Sequence, residues 1–346
     1  MKGLRTMKRA LAEVDDGEIT AGGEMTADGE IYARILPDGS PQVDQPSVKV
    51  GSARAEKITG SPLEGALLPT ALMDAPVEVA LRLNDDDCAS GAAQVARQIA
   101  ARGMCLCRCG LSPELGVAAA AEAANLYSRG ELQTMGFVKK GVRVPPDPEQ
   151  RRDLCVMLTD QESHRLHGVS QALLAIDAAI ERFAHILVDQ LALLEPRERA
   201  PLGGGPCGER LRFSSRGDLM VAVYPGEGSF HGVHIDNQDG DGRTTDFGRV
   251  LTFIYFLNEG WDEGDGGALR LHLPRECGAR DAAVAEAHAS ERSPAIDVLP
   301  ALDRMAVFRA DRVMHEVRPC PVRHRYAASV WVTCGAVGGA CVRECE

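Results

Sequence analysis

At 346 residues with 45% apolar side chains, the chain can hold one large domain or two modest ones around a substantial core. A formal net charge of -12 argues against a nucleic-acid partner, which would favour a basic face, and no apolar run is long enough to span a bilayer. Aromatic residues make up only 4%, so the core is expected to be mainly aliphatic.

The opening MKGLRTMKRALAEVDD has basic residues but no apolar h-region, so no secretory signal is expected, and the acidic residues that follow count against a targeting helix. Eleven scattered Cys in a chain too large to need staples fit reduced thiols in a cytoplasmic or nuclear protein. Residues 1–85 show little sustained periodicity and are punctuated by Gly, Pro, Asp and Glu. They read as a flexible extension with an isolated strand at Glu30–Leu36.

From Ser90 the pattern changes. SGAAQVARQIAARG has apolar residues at helical spacing and stops on Gly103. MCLCRCGL follows as a short strand. The one-residue gaps of Cys105, Cys107 and Cys109 match no usual zinc spacing, so these read as small apolar residues. Pro113 opens a second helix, PELGVAAAAEAANLYSRGEL. LQTMGFVKKGVRVPPDPEQRRD is loop-rich and locally basic; it reads as a solvated loop, with Lys139, Lys140 and Arg143 as candidates to line a substrate entrance. RRDLCVMLTD reads as a strand. A long helix then runs from Val169 to Leu194, with Leu173, Leu174, Ile176, Ile180, Phe183, Ile186, Leu187 and Leu191 as its apolar stripe. His164 and His185 read as ordinary histidines.

After the turn-rich PLGGGPCGER the chain becomes strand-like: LRFSS, DLMVAVYP, GVHIDN, GRVLTFIYFLN, GGALRLHLP, AIDVLP, RMAVFRA, HEVRPC and RYAASVWVTC. Short strands with Gly-rich turns imply a sandwich or barrel, with the preceding helices on one face. The expected fold is α+β: a double-stranded β-helix, or jelly roll, over residues 201–346, with helical support over 86–200. RECGARDAAVAEAHASERS, between Pro274 and Pro294, reads as an Ala-rich insertion forming a short helix over the rim.

Within the roll, VAVYPGEGSFHGVHIDN (Val221–Asn237) closes on His234 and Asp236. A strand sends residues i and i+2 to one face, so both would point one way and Ile235 the other. About eighty residues on, His315 in DRVMHEV offers a third ligand. Two His and one carboxylate on one face of a metal leave the other face open, as in non-haem Fe(II) oxygenases. His-x-Asp alone is weak; its context strengthens it. Ten residues beyond His315 comes Arg325, in RHRYAASVWV, on an alternating strand, and an Arg fork suits a carboxylate held in a pocket. A metal triad followed by a strand-borne Arg is what a 2-oxoglutarate oxygenase needs. His231 reads as a loop residue and Asp262, Glu263 and Asp265 as a solvated turn. Tyr224 and Trp331 could each be plain core residues.

From Asp218 to Val332, the motifs MVAVYPGEG, HIDN, DGR, LTFIYFLNEGWDEGDGGALRL, LDRMAVF, HEVRP and RYAASVW resemble, in order and spacing, the 2-oxoglutarate- and Fe(II)-dependent prolyl 4-hydroxylases. They look most like the oxygen-sensing, hypoxia-inducible-factor type and its protist relatives. The resemblance covers about a third of the chain strongly. It implies that His234, Asp236 and His315 bind Fe(II) and that Arg325 holds the distal carboxylate of 2-oxoglutarate. Tyr224 matches a pocket Tyr near the iron, Trp331 a Trp on the final strand, and Ser329 stands where the family often has Thr. Phe256 replaces a Tyr whose hydroxyl helps hold the cosubstrate, which implies binding that is kept but weakened. One extra residue between His315 and Arg325 implies a bulge near Pro321.

The implied reaction is 4-hydroxylation of a prolyl residue in a protein, coupled to decarboxylation of 2-oxoglutarate to succinate. It consumes O2, is supported by L-ascorbate, and by the same resemblance is expected to take part in oxygen sensing. The implied partner is a protein bearing a target proline; the enzyme is expected to be a monomer with no nucleic-acid or membrane partner. Two alternatives stay open: a 2-oxoglutarate oxygenase acting on another side chain or a small molecule, and a catalytically silent jelly-roll adaptor that binds peptide.

Overall fold

Gly103 stops the first helix, α1 (Ala89–Arg102), because its φ of 79° suits a residue without Cβ; its N–H returns to the Ile99 carbonyl. The computed structural model describes residues 78–83, 88–139, 142–158, 170–195, 211–237, 246–272 and 295–336. Ala92, Val95, Ala96 and Ile99 of α1 recur at helical spacing and are buried together. Helix α2 (Pro113–Ser128) starts where the Ser112 hydroxyl accepts the Leu115 N–H, with Pro in the first turn. Helix α3 (Gln171–Leu193) buries Leu173, Ile176, Ile180, Phe183, Leu187 and Leu191 of the predicted stripe. Its own Ser170 makes no cap. Glu122 of α2 does that job instead, its carboxylate accepting the N–H groups of Ala172 and Leu173 at 2.9 and 2.8 Å.

Two sheets follow. The major sheet runs, in order, β1 (Val79–Ala80), β2 (Met104–Arg108), β12 (Arg304–Arg309), β9 (Asp246–Phe256), β14 (Arg325–Ala336), β7 (Leu219–Tyr224) and β5 (Leu154–Leu158), with β6 (Leu211–Arg216) pairing the far half of β14. The minor sheet runs β11 (Ala295–Val298), β10 (Leu269–His272), β13 (His315–Cys320) and β8 (Ser229–His234). This is the expected jelly-roll class, α+β with helices on one face.

Strand alternation divides the interior into two cores. On β14, Tyr326, Ala328, Val330 and Val332 pack toward the helices, while Ala327 belongs to the second core, between the sheets. On β9, Leu251, Phe253 and Tyr255 face the helices, and Ile254 and Phe256 face inward. Phe183 meets Phe253 edge-on, with centroids 6.3 Å apart, and ties α3 to the centre of the major sheet. Phe183→Ala is expected to cost about 3–5 kcal/mol of stability, read from urea denaturation.

Two details depart from the sequence reading and two refine it. The folded body starts before residue 86: Val79, Leu81 and Leu83 are buried in the helix-side core, and β1 pairs with β2 in parallel. EVALRL alternates strictly, and Glu78 bridges Arg304 at 2.7 Å and Arg108 at 3.2 Å. The stretch before residue 201 supplies strands β1, β2 and β5 to the major sheet as well as the helices. The basic loop contains a hairpin of β3 (Phe137–Lys139) and β4 (Val142–Val144), with Lys139 opposite Val142, so that only two residues, one of them Gly, join the strands. The expected irregularity near Pro321 lies within β13, whose register against β8 shifts between His315 and Val317 and again before Cys320.

Cys105 and Cys107 on β2, and Cys109 just beyond its end, are buried apolar residues, as read. Hydrogen bonding to Cys105 and burial push the Cys107 thiol well up, and burial does the same for Cys109, so these stay neutral core groups. His185 stacks on Phe213. The strand expected at Glu30–Leu36, the rim helix expected over 275–293, and His164 and Lys140 lie outside the described residues. No helix among the described residues is long and apolar enough to cross a membrane.

Candidate active site

The minor sheet places two imidazoles face to face. His234 is the last residue of β8 and His315 the first of β13, and the two are register partners. Asp236 does not share the strand, as the His-x-Asp spacing suggested. The chain leaves β8 after His234, and the Asn237 N–H turns away to the Ala310 carbonyl at 3.0 Å. The Asp236 carboxylate still returns to the pair: Oδ1 lies 3.6 Å from His234 Nε2 and Oδ2 lies 3.7 Å from His315 Nε2. The three ligand atoms fall within 4.8 Å of one another, the one group so spaced among the described residues.

Each imidazole is turned by a backbone carbonyl. Nδ1 of His234 lies 2.9 Å from the Gly232 oxygen, and Nδ1 of His315 lies 3.2 Å from the Val313 oxygen. A carbonyl can only accept, so Nδ1 carries the proton and the Nε2 lone pairs face the shared point. Burial and the neighbouring His234 pull His315 down to about 4, so it is neutral at physiological pH and open to a cation. Burial alone would raise the Asp236 carboxyl; His315, His234 and the Thr252 hydroxyl hold it well below the usual carboxylate range instead.

These shifts set a pH dependence for the metal-free protein. The unfolded His315 takes up a proton near its ordinary 6.5, and the folded one resists it until about 4, so the unfolded chain binds more protons in that window. Acidification from pH 7.5 to 5 is expected to remove about 2 kcal/mol through this group alone, measurable by urea denaturation at the two pH values. His231, also held well below its ordinary value by burial and by His234, acts in the same direction.

His231 is not a loop residue. It lies on β8, its ring stacked on His234 with centroids 3.9 Å apart and 14° between planes. Phe308 closes on His315 at 4.7 Å. Along the outer edge of β8, residues 150–152 run as a strut: the Gly232 N–H donates to the Gln150 carbonyl at 2.6 Å and the Arg152 N–H to the Phe230 carbonyl at 2.8 Å. That covers an edge that would otherwise be open. A part-buried pair, with Arg151 Nε donating to the buried Asp153 Oδ1 at 2.7 Å, fixes the strut to the roll. Sequence reading missed this pair. Its signal, opposite charges at i and i+2 leading into a strand, is too common to single out.

The Arg325 guanidinium is fully enclosed. It lies over the Tyr224 ring at 4.8 Å and the Phe256 ring at 5.4 Å, with Tyr224 as its register partner on β7. Its Nε donates to the Gly267 carbonyl at 2.7 Å. Gly267 has φ +63°, and a Cβ there would sit 3.0 Å from Arg325 Cδ and 3.2 Å from Cys320 Sγ, so no larger residue fits without displacing them. Nη2 is buried with no hydrogen-bond partner among the described residues. Burial draws the guanidinium below its ordinary value, although Tyr224, Cys320 and Asp153 work against that. A charged donor left unmet among aromatic walls is costly unless an anion arrives, and a carboxylate fits such a fork. Ser329, buried four residues along β14, is register partner to Ile254 on β9 and Met220 on β7.

The remaining candidates have plainer places. Asp262, Glu263 and Asp265 form a capped 3-10 turn in which Asp265 pairs Arg323 at 2.9 Å. Trp331 carries the Arg249 guanidinium over its ring at 4.5 Å. Of Lys139 and Arg143, the structure gives the strand positions only.

Comparison with known proteins matches residues 219–333 to the 2OG-Fe(II) oxygenase superfamily. The chain is 36% identical over 121 residues to the hypoxia-inducible factor prolyl hydroxylase of Caenorhabditis elegans, a match covering 34% of this chain and 14% of that protein. It is 38% identical over 130 residues to prolyl hydroxylase EGLN3 of Mus musculus, covering 36% and 45% respectively. The chain thus spans less than half the length of these curated relatives. Among solved structures it aligns, at TM-score 0.51 and 23% identity, with a prolyl hydroxylase in complex with a hypoxia inducible factor oxygen degradation domain peptide fragment from Trichoplax adhaerens. That alignment covers 70% of this chain and 89% of the other. The likeness supports the jelly-roll fold.

Proposed function

We propose that this chain, which carries a 2OG-Fe(II) oxygenase domain over residues 219–333, hydroxylates a prolyl residue of a protein at C4. The observation that carries the reading is the buried, unmet Nη2 of Arg325 in the same roll as a His-Asp-His group. His234, Asp236 and His315 would hold Fe(II), and Arg325 would hold the distal carboxylate of 2-oxoglutarate, with Tyr224 and Ser329 lining that end. When bound, iron, 2-oxoglutarate and O2 supply the oxidising chemistry: the cosubstrate loses CO2 to become succinate, and one oxygen atom enters a C–H bond of the substrate.

The chain's own residues orient and enclose. The Gly232 and Val313 carbonyls fix the two imidazoles, so that no proton has to leave Nε2 when a cation arrives. The Gly267 carbonyl and the Tyr224 and Phe256 rings fix the guanidinium plane before cosubstrate binds. Phe308, Phe256, Tyr224 and Ile254 make the enclosing wall apolar, which limits water around the reacting groups. L-Ascorbate, as a reductant that keeps the iron ferrous, belongs to the same proposal. So do a cytoplasmic or nuclear location, a monomeric state and a role in oxygen sensing.

The prolyl substrate rests on the names of the relatives and on the shared motifs. The test is incubation with Fe(II), 2-oxoglutarate, ascorbate and a proline-containing peptide, followed by a succinate assay and mass spectrometry. A gain of one oxygen atom on proline is the expected result. Turnover on a free metabolite but on no peptide would replace the protein substrate with a small molecule. Peptide binding with no succinate would make the chain an adaptor.

A further inference from the structure

We propose that Thr252 is a positioning residue for the metal centre, holding Asp236 so that its carboxylate offers a single oxygen to the ion. This rests on the reading of His234, Asp236 and His315 as metal ligands. Thr252 is 1% exposed and sits in β9, a strand otherwise built of apolar side chains around it: VLTFIYF. Leu251 and Phe253 on either side pack toward the helices, so the Thr252 side chain faces inward with Ile254 and Phe256. Its register partners are Phe308, which closes on His315, and Trp331. A hydroxyl in that row needs a partner, and it has one: Oγ1 lies 2.6 Å from Asp236 Oδ2.

An ionised carboxylate only accepts, so the hydroxyl donates, and the distance is that of a charge-assisted bond. Asp236 needs such a hold. It lies beyond the end of β8, where no ladder fixes its backbone, and its side chain must turn back toward the two imidazoles. With one lone pair of Oδ2 engaged by Thr252, Oδ1 is the unencumbered donor. The triad would then contribute three ligand atoms and leave the rest of the ion's coordination shell open. Without the hydroxyl, the carboxylate is free to rotate, to bind through both oxygens, or to swing away.

Titration of metal-free protein with Co(II), followed by its d–d absorption, tests this without any turnover. Thr252→Val keeps the shape and removes the donor; it is expected to weaken Co(II) binding about tenfold. Thr252→Ser keeps the hydroxyl and is expected to stay within about twofold of the wild type, which separates loss of the donor from loss of packing. Co(II) affinity in Thr252→Val equal to that of the wild type would overturn the proposal, as would equal weakening in both variants. A wild type that binds no Co(II) would overturn the metal site itself, and this role with it, a result distinct from either of those.

Discussion

His315→Ala should abolish succinate formation, lowering turnover by at least about a thousandfold, equivalent to about 4 kcal/mol of transition-state stabilisation. The imidazole is 3% exposed, closed over by Phe308 and paired in register with His234, so no other side chain can move into its place. His231, a further imidazole at the site, is committed to the stack on His234. Two remaining protein ligands hold a divalent ion much more weakly than three, and the order of the loss should follow the metal. Co(II) titration of the variant should show binding lost along with activity, while the thermal unfolding midpoint of the metal-free protein falls little or rises. The second expectation has a physical cause. Burial disfavours a charged His315, and removing it relieves the acid sensitivity described above, so the variant should also keep more of its stability at pH 5. Full turnover by His315→Ala would remove this residue from the site.

Much of this was legible in the chain, for reasons that differ from residue to residue. RYAASVWV alternates, and alternation alone says that Arg325 and Ser329 share a face opposite to Tyr326 and Ala328. Gly103 marked a helix end because a positive φ is cheap only for Gly. His315 could be offered as a third ligand but not placed, since about eighty intervening residues carry no local signal that β13 will pair with β8. Asp236 was placed correctly in space and wrongly in structure. Period-2 reasoning presumes that the strand continues, and here it stops at His234. Thr252 escaped notice because Thr is an ordinary strand residue, and its hydroxyl gains meaning only once the Asp236 carboxylate is known to lie 2.6 Å away. EVALRL escaped because a short edge strand next to a composition-biased segment looks like part of it. What the sequence lacked throughout was the pairing of distant strands, and pairing is what assembles the site.

Arg325→Ala should raise the KM for 2-oxoglutarate by about a hundredfold, with a much smaller fall in kcat at saturating cosubstrate. The split follows from the position of the residue. Arg325 borders the apolar core between the sheets, held by Gly267, Tyr224 and Phe256, and hydrogen-bonds to none of the three metal-binding candidates. On the proposed reading it would bind the cosubstrate without entering the oxidation. Arg325→Lys should recover only part of the loss: an ammonium supplies charge but cannot donate to Gly267 and to both carboxylate oxygens in one plane. Stability should move in the opposite sense. In the wild type a guanidinium nitrogen is buried unmet, a cost that binding would cancel, so 2-oxoglutarate should raise the unfolding midpoint of the Co(II) protein by an amount that grows with the logarithm of its concentration over Kd. Arg325→Ala removes the cost and the gain together: the variant should be at least as stable without cosubstrate and should respond little to it. A variant that loses stability yet keeps its 2-oxoglutarate response would mean that the guanidinium is a structural strut between β7 and β14, and that the carboxylate is held elsewhere.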